Sequence, residues 1–180
     1  MVLMAKAAKQ IKYKALFTNA AEQGGGWHFF MIEPAVEKKF GFESKSRRVI
    51  CTIKGGEPFP CALMPWGDMF YIMVNKQRRN ELGLEVGQTV DIVLEKDESK
   101  YGMPMPEELQ EVLEQDPEGA QMFERLTAGK KRGIMWQIST IKDIDKRIHI
   151  ALIYIEHVKK NEGKIVHEEL MQELKRPMLF

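Results

Sequence analysis

The sequence predicts an α+β chain in which an N-terminal six-stranded β-module with two short helices precedes a C-terminal helical bundle. Three observations carry this reading. Short aromatic or β-branched runs bounded by turn residues fill the first hundred positions. A strand–helix–glycine–strand unit occurs there twice. Beyond the charged, turn-rich run from Lys96 to Pro106, apolar residues return at helical spacing. The 180 residues, 44% apolar and 29% charged, suit one large domain or two small ones, with boundaries expected at 8–98 and 104–176.

The strands are expected at Gln10 to Thr18, Trp27 to Ile32, Arg48 to Lys54, Phe59 to Met64, Met69 to Val74 and Thr89 to Glu95. Six strands suffice to close a small barrel. In the first copy of the repeat, Phe29 to Ile32 leads through Pro34 to Lys39 and Phe40-Gly41-Phe42 into Val49 to Ile53. About 42 residues on, Tyr71 to Val74 leads through Lys76 to Glu81 and Leu82-Gly83-Leu84 into Val90 to Leu94. Gly41 and Gly83 have a physical reason: a short helix reversing into a strand wants a left-handed residue just past its last turn. Two copies suggest a pseudo-twofold barrel. A three-residue loop, Gly55-Gly56-Glu57, would set Cys51 directly opposite Cys61, with both thiols facing the core.

Pro106-Glu107-Glu108 opens the helical part, with Leu109, Val112 and Leu113 on one face. Asp116-Pro117 restarts it as cap and first helical residue, and Met122, Phe123 and Leu126 form the next stripe. Ile134, Ile138 and Ile141 suggest a third helix. From Asp143 to Lys160, Ile144, Ile148, Leu152 and Ile155 lie on one side with Ile150, Ile153 and Tyr154 beside them, too broad an apolar surface for a peripheral helix. That helix is expected at the centre of the bundle, with a short one from Ile165 to Leu174 after it.

Charge and targeting narrow the function classes. A net charge of +1, with 15 basic and 12 acidic residues in the first hundred and 12 and 14 after it, marks neither half as a dedicated nucleic-acid domain. The charge-free stretches Gln23 to Ile32 and Pro58 to Gly67 are too short to span a bilayer, so no membrane insertion is expected. Lys6 and Lys9 interrupt any signal-peptide core after Met1 to Met4, which gives the cytoplasm as the expected address.

Gly25-Gly26-Trp27-His28-Phe29, Leu63-Met64-Pro65 through Gly67-Asp68, and Val74-Asn75-Lys76 through Leu82-Gly83-Leu84-Glu85-Val86-Gly87 resemble a bacterial family known only as domain of unknown function 1905. Leu126-Thr127 through Lys131-Arg132, and Asp143 through Arg147-Ile148 into the apolar helix, resemble the bacteriocin-protection, YdeI/OmpD-associated region that accompanies it. The resemblance spans about residues 10 to 175. It implies a double-split β-barrel related to the AbrB and MazE class for the first part and supplies no catalytic residues.

The residues give several chemistries no support. The Gly24-Gly25-Gly26 triplet opens onto a strand, whereas a phosphate cradle opens a helix, so it reads as a hairpin connection. His149 and His157 are eight residues apart on one helix, too far along the axis to share a metal ion, and no metal or cofactor is expected. No nucleophile elbow occurs, and the paired acids sit in solvated helical contexts, so no catalytic residue is assigned. The candidate binding residues are Trp66 and Asp68 in a turn beside an exposed indole, Lys76 and Arg79 at the second short helix, and Lys131 and Arg132. Those last two lie near a helix start, where a cation wants an anion or partner. The reading is a non-enzymatic binding or stress- or bacteriocin-protection-associated accessory protein, with an unknown small ligand or protein partner. Two alternatives stand beside it. One is an AbrB-like nucleic-acid binder using Arg47, Arg48, Lys76, Arg78 and Arg79; the other is an enzyme with a site where barrel and bundle meet.

Overall fold

The computed structural model describes residues 10–20, 26–43 and 46–178. Gly24 and Gly25 of the glycine triplet, and the segment preceding Gln10, lie outside them. The chain divides into two compact units, with the boundary between Glu98 and Ser99.

The first unit holds β1 (Gln10–Asn19), β2 (His28–Ile32), α1 (Pro34–Phe40), β3 (Arg48–Ile53), β4 (Phe59–Ala62), β5 (Met64–Trp66), β6 (Met69–Val74), α2 (Lys76–Glu81) and β7 (Thr89–Lys96). The strands form one antiparallel sheet in the order β4-β3-β7-β1-β2-β6-β5. This corrects the expected closed barrel of six strands. The run expected as a single strand over Phe59 to Met64 changes partner at the buried Leu63: Phe59–Ala62 pair with β3, the Leu63 N–H still reaches the Arg47 carbonyl at 2.9 Å as the next rung, and Met64–Trp66 pair with β6 instead. Its two parts then occupy opposite edges of the sheet, joined through Leu63 alone. Pro60 and Pro65 fit there because an edge strand can lack an N–H on its open side.

The repeat is visible in the pairing. In β2 and β6, Phe30 lies opposite Ile72, 42 residues on, and in β3 and β7, Thr52 lies opposite Val93, 41 residues on. Equivalent positions of the two copies therefore face each other across a local twofold. Gly41 and Gly83 adopt the same left-handed backbone, φ +55° and +57°. Alternate strand residues point inward and bury Phe17, Phe30, Ile32, Ile72, Ile92 and Leu94 in one core, joined by Phe40 of α1. Each such side chain contributes about 1.5–3 kcal/mol of burial.

The cysteine register is also corrected. Cys51 pairs with Phe59 and Cys61 with Val49, because the reversal is a tight turn at Lys54-Gly55, both at positive φ, closed by Gly56 N–H to the Ile53 carbonyl at 2.8 Å. A shift of two positions preserves the inward face. Both thiols are free, with Cys51 buried and Cys61 half-buried. A hydrogen bond with Cys61 and burial push the Cys51 thiol well above its ordinary range.

The second unit holds α3 (Glu107–Gln115), α4 (Pro117–Glu124), α5 (Ala128–Thr140), α6 (Ile144–Lys160) and α7 (His167–Glu173). Three of its five helix starts are capped by side chains: Asp116 accepts from Gly119 N–H, Thr127 from Lys130 N–H and Asp143 from Lys146 N–H. As expected, α6 is the central helix, touching α3, α4, α5 and α7. Gly119 permits the close approach of α4, since a Cβ there would lie 2.2 Å from Ile155 Cγ2. No helix among the described residues is long and apolar enough to cross a membrane.

Candidate functional site

A concavity of about 740 Å³ lies within the helical unit, between α3 and α6. Its floor comes from the stripe the sequence assigns to the core. Ile144, Ile148 and Leu152 recur every fourth residue along α6, and Val112 and Ile155 continue the apolar surface. Burial of that stripe is incomplete: Ile144 is 62% exposed and Leu152 38%. Apolar side chains left open inside a cleft mark a binding surface more strongly than isolated ones elsewhere.

The rim is acidic. Glu107, Glu108, Glu111, Asp116 and Glu156 border the groove against Lys159. Two ion pairs hold its walls together. Arg147 Nη1 of α6 donates to Glu108 Oε1 at 3.1 Å, and Lys159 Nζ donates to Asp116 Oδ2 at 2.9 Å toward the other end of both helices. Oε2 of Glu108 is buried without a hydrogen-bond partner among the described residues. The Gly119 N–H and Lys159 hold the Asp116 carboxyl below the usual carboxylate range. Asp116 is therefore anionic near neutrality and suited to attracting cations rather than delivering protons.

The six candidate residues fall into local arrangements. Trp66 ends β5 and is 42% exposed, its indole 5.1 Å from the ring of Phe29 and 5.9 Å from that of Tyr71. Asp68 follows it in the exposed turn to β6. Lys76 is exposed at the start of α2, while Arg79 Nη1 lies 2.6 Å from His28 Nε2. Lys131 finds the anion its helix position calls for: Nζ donates to Glu124 Oε2 at 2.5 Å. Arg132 Nη1 donates to the Tyr101 carbonyl at 3.4 Å. Glu124 also accepts from Lys100 and from the Tyr101 hydroxyl. Burial alone would push its carboxyl up, but these donors prevail and hold it at about 2.

The basic territory considered for nucleic acid is similarly occupied. Arg47 pairs with Glu37 at 2.5 Å and lies over the Phe70 ring, Arg48 is also engaged, and the Arg78 guanidinium stands 3.8 Å above the Phe59 ring.

One cluster escaped a reading based on spacing along a helix. His157, Glu169 and Glu173 bring their ligand-type atoms within 4.8 Å of one another, and His157 is 1% exposed. Its Nε2 accepts from Val166 N–H at 3.0 Å, so the proton sits on Nδ1, which donates to Glu173 Oε2 at 2.7 Å. Lys160 bridges Glu169 and Glu173. With both ring nitrogens engaged and the acids facing an ammonium, the cluster latches α7 to α6. His149, the other histidine of α6, is half-buried and contacts the Arg176 carbonyl at 3.0 Å.

The architecture is thus that of a two-module α+β protein with an acid-rimmed groove in its helical module. Residues 15–94 match a family described as a domain of unknown function (DUF1905), and residues 103–149 match one described as bacteriocin-protection, YdeI or OmpD-associated. The two matches fall one in each compact unit, where the quoted motifs lie; they do not bear on the AbrB or MazE class. No curated protein and no solved structure matches the chain.

Proposed function

We propose that this is a non-enzymatic binding protein whose helical module takes up a partner segment bearing apolar and basic side chains on one helical face. The carrying observation is the groove itself, an apolar floor bordered by five carboxylates, of which Glu108, Asp116 and Glu156 are paired with Arg147, Lys159 and Arg176 while Glu107 and Glu111 have no ion pair among the described residues. A helix laid into it would bury its apolar side chains on Ile144, Ile148 and Leu152 while its cations met Glu107 and Glu111. An acidic segment would meet like charge, and an uncharged one would leave the rim unanswered. The family description supports a protection-associated accessory role, in which sequestering a ligand requires no chemistry. Two free thiols fit a reducing compartment and support the cytoplasmic address.

The nucleic-acid alternative is weaker because Arg47, Arg78 and Arg79 are already engaged by an acid, a ring and an imidazole. The enzymatic alternative places its site where barrel and bundle meet; at the groove itself an acid–base role is disfavoured, because Asp116 is held in its anionic form.

Fluorescence anisotropy with labelled synthetic helices of about five turns tests the proposal. A Leu/Lys amphipathic helix is expected to bind, with affinity falling as salt rises. A Leu/Glu helix and a Ser/Lys helix of equal length are not. Leu152→Lys, at a partly exposed position, weakens the interaction at least about tenfold while leaving the circular dichroism spectrum unchanged. Equal binding of the Leu/Glu helix, or binding indifferent to Leu152→Lys, would overturn it.

A further inference from the structure

A second, chemically different cleft lies on the outer face of the β-module. Along β2 and β6 that face bears Phe29, Met31, Tyr71 and Met73, with Met64 and Trp66 on β5 beyond them. None of these side chains is charged. Here a cleft of about 300 Å³ is bordered by Thr18, Asn19, Phe29, Met31 and Trp66. Ring contacts hold the indole in place: Phe29 meets it at an interplanar angle of 64° and Tyr71 at 80°, while Phe29 and Tyr71 contact each other at 5.6 Å. A large aromatic surface that is fixed in position yet partly open needs little ordering on binding.

We infer that this cleft is a binding site for an uncharged sugar ring, seated on Trp66 and hydrogen-bonded by Thr18 and Asn19. Three properties of the lining select that chemistry. Among the described residues its lining contains no Lys, Arg, Asp or Glu, so a phosphate, carboxylate or ammonium ligand would lose its hydration without gaining a counter-charge from them. It does contain a hydroxyl and a carboxamide, neither with a side-chain hydrogen bond among the described residues, which a purely apolar ligand would strand. A pyranose presents what remains: an apolar face of C–H groups for the indole and a rim of hydroxyls that both donate and accept. The volume lies at the small end of ligand pockets and suits one or two rings.

Saturation-transfer difference NMR on the full chain tests the assignment, with cellobiose and maltose as neutral probes, glucose 6-phosphate as charged probe and uridine as a flat-ring control. Transfer to the ring C–H protons of at least one neutral disaccharide is expected. Trp66→Ala should weaken it about tenfold and Trp66→Phe by less, whereas Trp136→Phe should leave it unchanged. Thermal unfolding of each variant separates loss of the site from loss of the fold. No transfer to either disaccharide, transfer unaffected by Trp66→Ala in a folded protein, or equal binding of glucose 6-phosphate would each overturn the assignment. Binding of uridine alone would show instead a site for a planar base.

Discussion

Glu124 shows how one side chain can reconcile helix chemistry that looks unfavourable in isolation. Lys131 lies in the first turn of α5, the positive end of the helix dipole, and Arg132 follows it. Glu124, at the end of α4, receives that ammonium together with those of Lys100 and the Tyr101 hydroxyl. A carboxyl held at about 2 in the folded protein against an ordinary 4.5 stabilises the fold above about pH 4.5 and loses that contribution as pH falls toward 2. Acid titration of Glu124→Gln followed by circular dichroism should therefore show a flatter loss of stability over that interval. The variant should also be about 1 kcal/mol less stable at neutral pH, the figure being modest because the carboxylate is partly open to solvent. Curves of equal slope for variant and parent would show that the cluster contributes nothing. The cationic pair was legible in the sequence as a position needing a partner. Glu124 itself was not, because it lies across a loop and periodicity describes one helix at a time.

Among the elements, local signals identified most pieces correctly and failed where the outcome depended on a neighbour. Asp116-Pro117 and Asp143 announced helix starts because caps act within four residues. Gly41 and Gly83 announced reversals because only the left-handed region turns the chain there. The strand expected from Phe59 to Met64 had the right composition, yet after Leu63 the chain exchanges β3 for β6 as its neighbour, and no pattern within the strand records which partner it meets. The cysteine register failed similarly, since Lys54 at positive φ shortens the turn and no rule for non-glycine residues predicts it. The latch on α7 is likewise tertiary. His157→Leu should cost about 2 kcal/mol, by leaving the Val166 N–H and a carboxylate without their partner. Amide exchange would then quicken across Glu169 to Glu173 while α3 and α4 keep their protection. Uniform acceleration across the whole helical unit would contradict the assignment of this contact to α7 docking.

For the whole molecule, the repeat and the change from strands to helices are written in turn residues and apolar spacing, and so the α+β organisation is legible. The groove is only half legible. Its floor stood out in the sequence as an excess of apolar residues on α6, which burial in a bundle centre would also explain. What distinguishes the two is that α3 covers that surface incompletely and brings Glu107 and Glu111 to its border, an arrangement made by two helices nearly thirty residues apart. The most direct measurement is two-dimensional amide NMR of the isotopically labelled chain titrated with the Leu/Lys helix. Saturable shifts concentrated in residues 107–116 and 144–159, abolished by Leu152→Lys, are the predicted result. Shifts spread over both modules, or concentrated on the basic side chains of α2, would contradict the account.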